Sequence, residues 1–227
     1  MKALLRGTMA AVGAAMLAAG CASAPPAAPP QTPAAAPATP AGSTLHPTPP
    51  GLGQFPYSDA DVAFMSGMIP HHAQAVIMAG WAPSHGARHD VAVLCERIVV
   101  GQRDEITLMQ NWLRDRGQPV PEAKPGPMRM TMNGMTHDML MPGMLTDAQM
   151  KELDAARGAE FDRLFLRYMI QHHEGAVSMV NELFATPGAA QEQSVFKLAS
   201  DVSVDQTTEI KRMQKMLATL LLDAGPR

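Results

Sequence analysis

Residues 61–78 read DVAFMSGMIPHHAQAVIM, and residues 162–179 read DRLFLRYMIQHHEGAVSM. Laid over each other at an offset of 101, they share the frame D-x-x-F-x-x-x-M-I-x-H-H-x-x-A-V-x-M. Neither copy alternates polar and apolar residues as a half-buried strand would; both carry apolar residues at helical spacing. A second, looser frame, Q-x-x-E-I-x-x-M-Q-x-x-L, joins QRDEITLMQNWL at 102–113 to QTTEIKRMQKML at 206–217 at an offset of 104. Two copies of one helical hairpin are therefore expected. A lone hairpin cannot bury its apolar face, so two of them should pack across a pseudo-two-fold axis as an all-α four-helix bundle.

Local signals place the helices. Ser58 and Asp61 form a capping-box pattern in YSDAD, opening a helix that runs to about Trp81, where APSHG breaks it. A second is expected from about Arg88 to Arg116, stopping at Gly117. LTDAQM caps a short helix from Asp147, followed by a long one from about Ala159 to Phe184 and a last one from about Ala189 to Leu222. Repeat 1 thus spans 55–116, a Met-rich connection 117–145 and repeat 2 146–227.

The chain opens with MKALLRGTMAAVGAAMLAAGC, where Lys2 and Arg6 precede an apolar stretch and small residues lead to Cys21. This is the layout of a secretory signal over 1–21, and LAAGC resembles a bacterial lipobox. Two readings stay open: lipidation at Cys21, which would tether the chain to a membrane, or plain secretion with a free cysteine. Both export the chain to the cell envelope or periplasm. Residues 22–54 are dominated by Ala, Pro, Ser and Thr, too poor in apolar bulk to form a core, and are expected to be a disordered linker.

Composition excludes several classes. The 227 residues carry 18 basic and 21 acidic side chains, a net charge of −3, with no basic stripe, which argues against nucleic acid. Two cysteines are too few for a disulfide framework or a cysteine-rich zinc site; Cys95, among Val91, Leu94 and Ile98, reads as a small core residue. No nucleophile–base constellation or phosphate-binding glycine loop is present.

The chain holds 19 methionines, far above ordinary usage, and their placement points to chemistry. Met68 lies three residues before His71 and four before His72, and Met169 stands likewise before His172 and His173. Where a di-iron bundle carries Glu-x-x-His, this chain carries Met-x-x-His twice. Thioether and imidazole suit copper, and Cu(I) above all, better than iron or manganese. Candidate ligands are Met68, His71, His72, Met78, Met169, His172, His173 and Met179. Asp61 and Asp162, and Gln102 and Gln206 on the partner helices, are candidates for acceptors that fix a histidine tautomer. Adjacent helical residues are about 100° apart, so which histidine of each pair faces inward is open. Glu105 with Met109 and Glu209 with Met213 read as accessory ligands or as exposed glutamates. His85 and His89 read as an incidental surface pair.

The connection PMRMTMNGMTHDMLMPGM, residues 127–144, adds Met128, Met130, Met132, Met135, Met139, Met141 and Met144, with His137 among them. Such spacing lets a loop wrap a soft ion weakly, or lets it lie over the bundle as adaptable apolar cover.

The doubled M-I-x-H-H and the MPGML segment before the second copy resemble the bacterial domain-of-unknown-function 305 family, over roughly Tyr57–Leu222. The resemblance implies a ferritin-like helical fold, and it implies copper binding, since the family includes a cyanobacterial periplasmic copper-binding protein. Carried over by position, its motif residues are Asp61, Met68, His71, His72 and Met78, then Asp162, Met169, His172, His173 and Met179. The expectation is an exported protein that binds copper for envelope copper homeostasis, with a copper-transfer partner or a second copy of itself as protein partner. Two alternatives stay open: a redox enzyme with a dinuclear metal centre in the same bundle, and a metal-free envelope interaction module.

Overall fold

The computed structural model describes residues 43–51, 55–132 and 135–223. The signal-like segment with Cys21 and the linker up to residue 42 lie outside the described residues. So do the side chains of Met128, Met130, Met132, Met135 and His137.

A two-residue strand β1 (Leu45–His46) pairs antiparallel with β2 (Tyr57–Ser58), and helix α1 (Asp59–Gly80) follows directly. Ser58 caps α1: its hydroxyl accepts the Asp61 N–H at 3.2 Å, while the Asp61 carboxylate accepts the Ser58 N–H at 2.7 Å. This reciprocal box satisfies two of the donors that a helix start leaves orphaned. Helix α1 runs unbroken through Pro70. Helix α2 (His89–Asp115) ends where Gly117 takes φ +63°, which lets the Gln118 N–H reach back to the Leu113 carbonyl at 2.9 Å. Helices α3 (Asp147–Ala155), α4 (Ala159–Ala185) and α5 (Gln193–Asp223) complete the set, within two to four residues of the boundaries expected from caps and breakers.

The connection differs from the sequence reading, which found no strands. Residues Met128–Met132 (β3) and Met135–Met139 (β4) form an antiparallel ladder, with Met128 opposite Met139 and Met132 opposite Met135. The signal was the alternation in MRMTM and MTHDM on either side of Asn133-Gly134, a pair that two-residue hairpins favour.

Helices α1 and α2 pack as one hairpin and α4 and α5 as another; the hairpins meet across α1 and α4. The apolar interior divides in two. One core joins Phe64, Met65, Met68 and Ile69 of α1 to Met109 and Leu113 of α2, Met179 and Val180 of α4, and Val195 and Val202 of α5. The other joins Met78 of α1, Leu94 and Ile98 of α2, Phe161, Phe165 and Met169 of α4, and Met213 of α5. The first half of α1 thus shares a core with the second half of α4, so the two central helices run antiparallel.

Each hairpin locks the other through an aspartate. The Asp61 carboxylate, fully buried, accepts the N–H of Ala190 at 2.7 Å, in the turn between α4 and α5. Asp162, in the matching place, accepts the N–H of Arg88 at 3.2 and 3.3 Å, in the turn between α1 and α2. Ala190 needs its bond: it holds φ +53°, a left-handed conformation that costs a non-glycine residue roughly 1 kcal/mol.

Candidate metal centre

Between the two apolar cores lies a polar layer. Its members are His71 and His72 of α1, Gln102 of α2, His172 and His173 of α4, and Gln206 of α5, all buried. The four histidines have no solvent exposure at all.

Their ring nitrogens divide into two sets. Each Nε2–H donates to an oxygen that can only accept: His71 to the Pro142 carbonyl at 3.0 Å, His172 to the His71 carbonyl at 3.1 Å, His72 to Glu105 Oε2 at 2.8 Å and His173 to Glu209 Oε2 at 2.8 Å. Each ring therefore carries a proton on Nε2, and in a neutral ring Nδ1 then holds the free lone pair. All four Nδ1 atoms are buried without a partner. So are the amide nitrogen and oxygen of both Gln102 and Gln206. An orphaned buried polar atom costs about 1–3 kcal/mol, so eight in one layer is a large standing penalty unless something fills it.

His71 and His172 stay neutral. Burial, followed by the neighbouring His72, pushes the His71 imidazole down to about 3. Burial, then His71, His173 and His72, holds His172 well below its ordinary value. A neutral imidazole whose outer N–H is held by a carboxylate or carbonyl is the arrangement by which proteins present the other nitrogen to a metal. Around the layer, Met68, Met109 and Met179 lie in one core and Met78, Met169 and Met213 in the other, all buried. Among the described residues, no three His, Cys, Asp or Glu side chains gather into a metal cage. The buried groups in and beside the layer are imidazole nitrogens and thioether sulfurs, donor types that suit a soft cation.

The paired histidines do different jobs. His71 and His172 face each other across α1 and α4, with ring centroids 3.9 Å apart. His72 and His173 turn the other way, toward α2 and α5.

Other expected residues lie elsewhere. Asp61 and Asp162 bond backbone amides of the opposite hairpin rather than imidazoles, so they lock the fold and fix no tautomer. That role falls to Glu105 and Glu209, which the sequence left as accessory ligands or exposed side chains; their signal was the matching i,i+4 step to Met109 and Met213. His85 is no surface residue. It is buried, stacked on Trp81, and its Nε2–H donates to the Asp154 carbonyl at 2.9 Å, tying the α1–α2 turn to α3. His89 is exposed. Cys95 is a buried core residue whose thiol burial pushes up to about 12.

The MPGML segment closes one side of the layer. Gln74 grips the Leu145 backbone twice, donating to its carbonyl at 3.0 Å and accepting its N–H at 2.7 Å. At the matching position of repeat 2, Gly175 lets the backbone of Pro142 and Gly143 lie directly on α4: an added Cβ would stand 2.0 Å from the Pro142 carbonyl oxygen. Gln171, which replaces Pro70 in the second copy, donates to the Gly143 carbonyl at 3.2 Å. Met144 is buried beneath this strap, and Met139 is exposed beyond it.

These features define a class, a four-helix protein of two antiparallel-packed hairpins with a buried Met/His layer at its waist. The model of the family called "Domain of unknown function (DUF305)" matches residues 61–217, and the chain belongs to that family. A secreted DUF305 protein of Streptomyces coelicolor is 30% identical, with a TM-score of 0.61 over 71% of this chain and 93% of its own. A DUF305 fragment from Deinococcus radiodurans is 28% identical, with a TM-score of 0.59 over 72% of this chain and 98% of its own. CopM in its Cu(II)-bound form is 29% identical, with a TM-score of 0.54 over 70% of this chain and 96% of its own. CopM has also been solved with Cu(I), with Ag and as the apo form. No curated protein sequence matches the chain. Among the described residues, no helix is long and apolar enough to cross a membrane.

Proposed function

We propose that this chain is an exported copper-binding protein that takes Cu(I) into its waist layer for storage, buffering or transfer in the cell envelope. The observation that carries this reading is the four buried Nδ1 lone pairs without partners, each on a ring whose Nε2–H is already held, between two methionine-bearing cores. Imidazole nitrogen and thioether sulfur together favour Cu(I) over harder ions. The copper-bound and silver-bound forms of CopM support the same choice of metal.

The ligands in this reading are His71, His72, His172 and His173 through Nδ1, with Met68, Met78, Met169 and Met179 as flanking thioethers. The Met-rich hairpin is a second, weaker site that gathers the ion outside the bundle. Lipidation at Cys21 and the Pro/Ala-rich linker would hold the bundle at a membrane while leaving it reach. A transfer partner, or a second copy of the chain, would receive the ion.

Anaerobic Cu(I) titration against a chromophoric chelator tests the layer. Replacing all four histidines with asparagine, which keeps polar groups in the layer, should weaken binding at least tenfold. Changing only Met68 and Met169 to Leu should weaken Cu(I) binding and leave Zn(II) binding unaffected. Unchanged Cu(I) affinity in the histidine variant would sink the proposal.

A further inference from the structure

We propose that the seam between α2 and α5 is the port through which the cation reaches the histidine layer, with Glu105 and Glu209 as its gate. The proposal deepens the copper reading above and rests on it.

The layer can be approached from few directions. Its two ends are closed by apolar cores, and its α1–α4 side by the packed rings of His71 and His172. The strap side is closed by backbone on backbone, with Gly175 flush against Pro142 and Leu145 held twice by Gln74. Opening that side means breaking several contacts that cooperate. On the α2–α5 side, the residues bonded to the histidines are two side chains. Glu105 and Glu209 are 17% and 19% exposed, so each touches solvent outside and a fully buried imidazole inside. A carboxylate on a flexible stem can turn away from its ring at far less cost than a docked strap can lift.

Charge and lining agree with this choice. Outside the gate, Asp201 and Asp205 are exposed on α5. Partial burial pushes the Asp205 carboxyl up, and Glu105, Glu209 and Asp201 push it further, so the four carboxylates share one field; Arg97 on α2 and Lys197, which pairs with Asp201 on α5, are the opposing charges. Such a field concentrates cations and repels anions. Inside the gate, Gln102 and Gln206 stand one helical turn before the two glutamates on the same helix faces. Both are more than nine-tenths buried, with neither amide atom partnered. They supply carbonyl oxygens along the path from the carboxylates to the imidazoles. Asp201 also lines a cleft of about 490 Å³ farther along the same two helices, shared with Met65, Trp112 and Lys197.

The test measures the rate of loading of the full-length chain with Ag(I), followed by stopped flow as the ion leaves a chromophoric chelator. The Asp201→Asn/Asp205→Asn variant lies wholly outside the layer. It should keep the equilibrium affinity, load about fivefold more slowly, and lose most of the dependence of rate on ionic strength. Glu105→Gln/Glu209→Gln should slow loading further, at least tenfold, with a thermal midpoint showing that it folds. The port is overturned if both variants load at the unaltered rate and salt dependence while the layer still binds the ion. Faster loading by Gly175→Ala alone would then identify the strap as the door. If the four-histidine variant binds Ag(I) as tightly as the unaltered chain, the copper reading itself fails, and the port falls with it.

Discussion

The outer histidines and the inner histidines of the layer obey different symmetries. His72–Glu105 and His173–Glu209 are the same bond made twice, each at 2.8 Å, by residues at matching places in the two hairpins. The inner pair breaks the match: His71 donates to Pro142, outside both helices, while His172 donates to the carbonyl of His71. The cause is the MPGML strap, which docks on one side only. The duplicated positions that touch it have diverged to suit it, as Gln74 against Gly175 and Pro70 against Gln171. The duplicated frame supplies the histidine layer twice over, and a single strap gives the two halves unequal work.

The strongest way to break this account is at Gly175. Gly175→Ala puts a methyl 2.0 Å from the Pro142 carbonyl oxygen and 2.6 Å from the Gly143 Cα, both backbone atoms. It should cost about 2–4 kcal/mol in urea unfolding, despite alanine's better helix propensity. Alanine at the matching Gln74 should cost by a different route, leaving the Leu145 N–H and carbonyl without their partner and meeting no clash. A Gly175→Ala variant as stable as the unaltered chain would refute the asymmetry.

The two aspartate locks offer a sharper comparison. Asp61 accepts two backbone N–H groups, from Ser58 and Ala190, and one of them holds a left-handed alanine. Asp162 accepts the Arg88 N–H, and burial pushes its carboxyl up, so folding works against its charged form. Asp61→Ala should destabilise by about 2 kcal/mol and Asp162→Ala by about 1 kcal/mol in the same assay. The reverse order would contradict the assignment.

The inner pair also sets the acid dependence of the metal-free protein. His71 is harder to protonate folded than unfolded, with a folded value of about 3 against an ordinary 6.5, and His172 is shifted the same way. The unfolded chain therefore takes up protons first. The contribution is fully present above about pH 6.5 and is lost as pH falls toward 3, at on the order of 1 kcal/mol per pH unit for each ring. Urea midpoints measured between pH 7 and 4 should fall, and His71→Asn should flatten the slope.

Much of this architecture was legible in the sequence because it rests on local rules. The repeated frame gave the hairpins, Ser58 and Asp61 gave a helix start, and Gly117 gave a helix end. The Met-x-x-His spacing put a thioether one turn from each histidine pair, since spacing along one helix is fixed by its pitch. What escaped were contacts set by packing between elements. Which of two adjacent histidines meets its counterpart depends on how α1 rotates against α4. The aspartates looked like partners for rings on their own helices but reach across to the opposite hairpin. The glutamates looked like ordinary exposed charges until α2 and α5 placed them over His72 and His173. The strand ladder at 128–139 was legible in its alternation and was missed.

The central claim is that four imidazoles, each donating through Nε2–H, present Nδ1 to a soft cation. Nitrogen-15 NMR of the histidine rings during Ag(I) titration tests it most directly. The metal-free spectrum should show all four buried rings in the Nε2–H form, and Ag(I) should shift Nδ1 resonances of these rings while leaving each Nε2 protonated. Rings in the Nδ1–H form, or stoichiometric Ag(I) binding that leaves all four Nδ1 resonances in place, would contradict it.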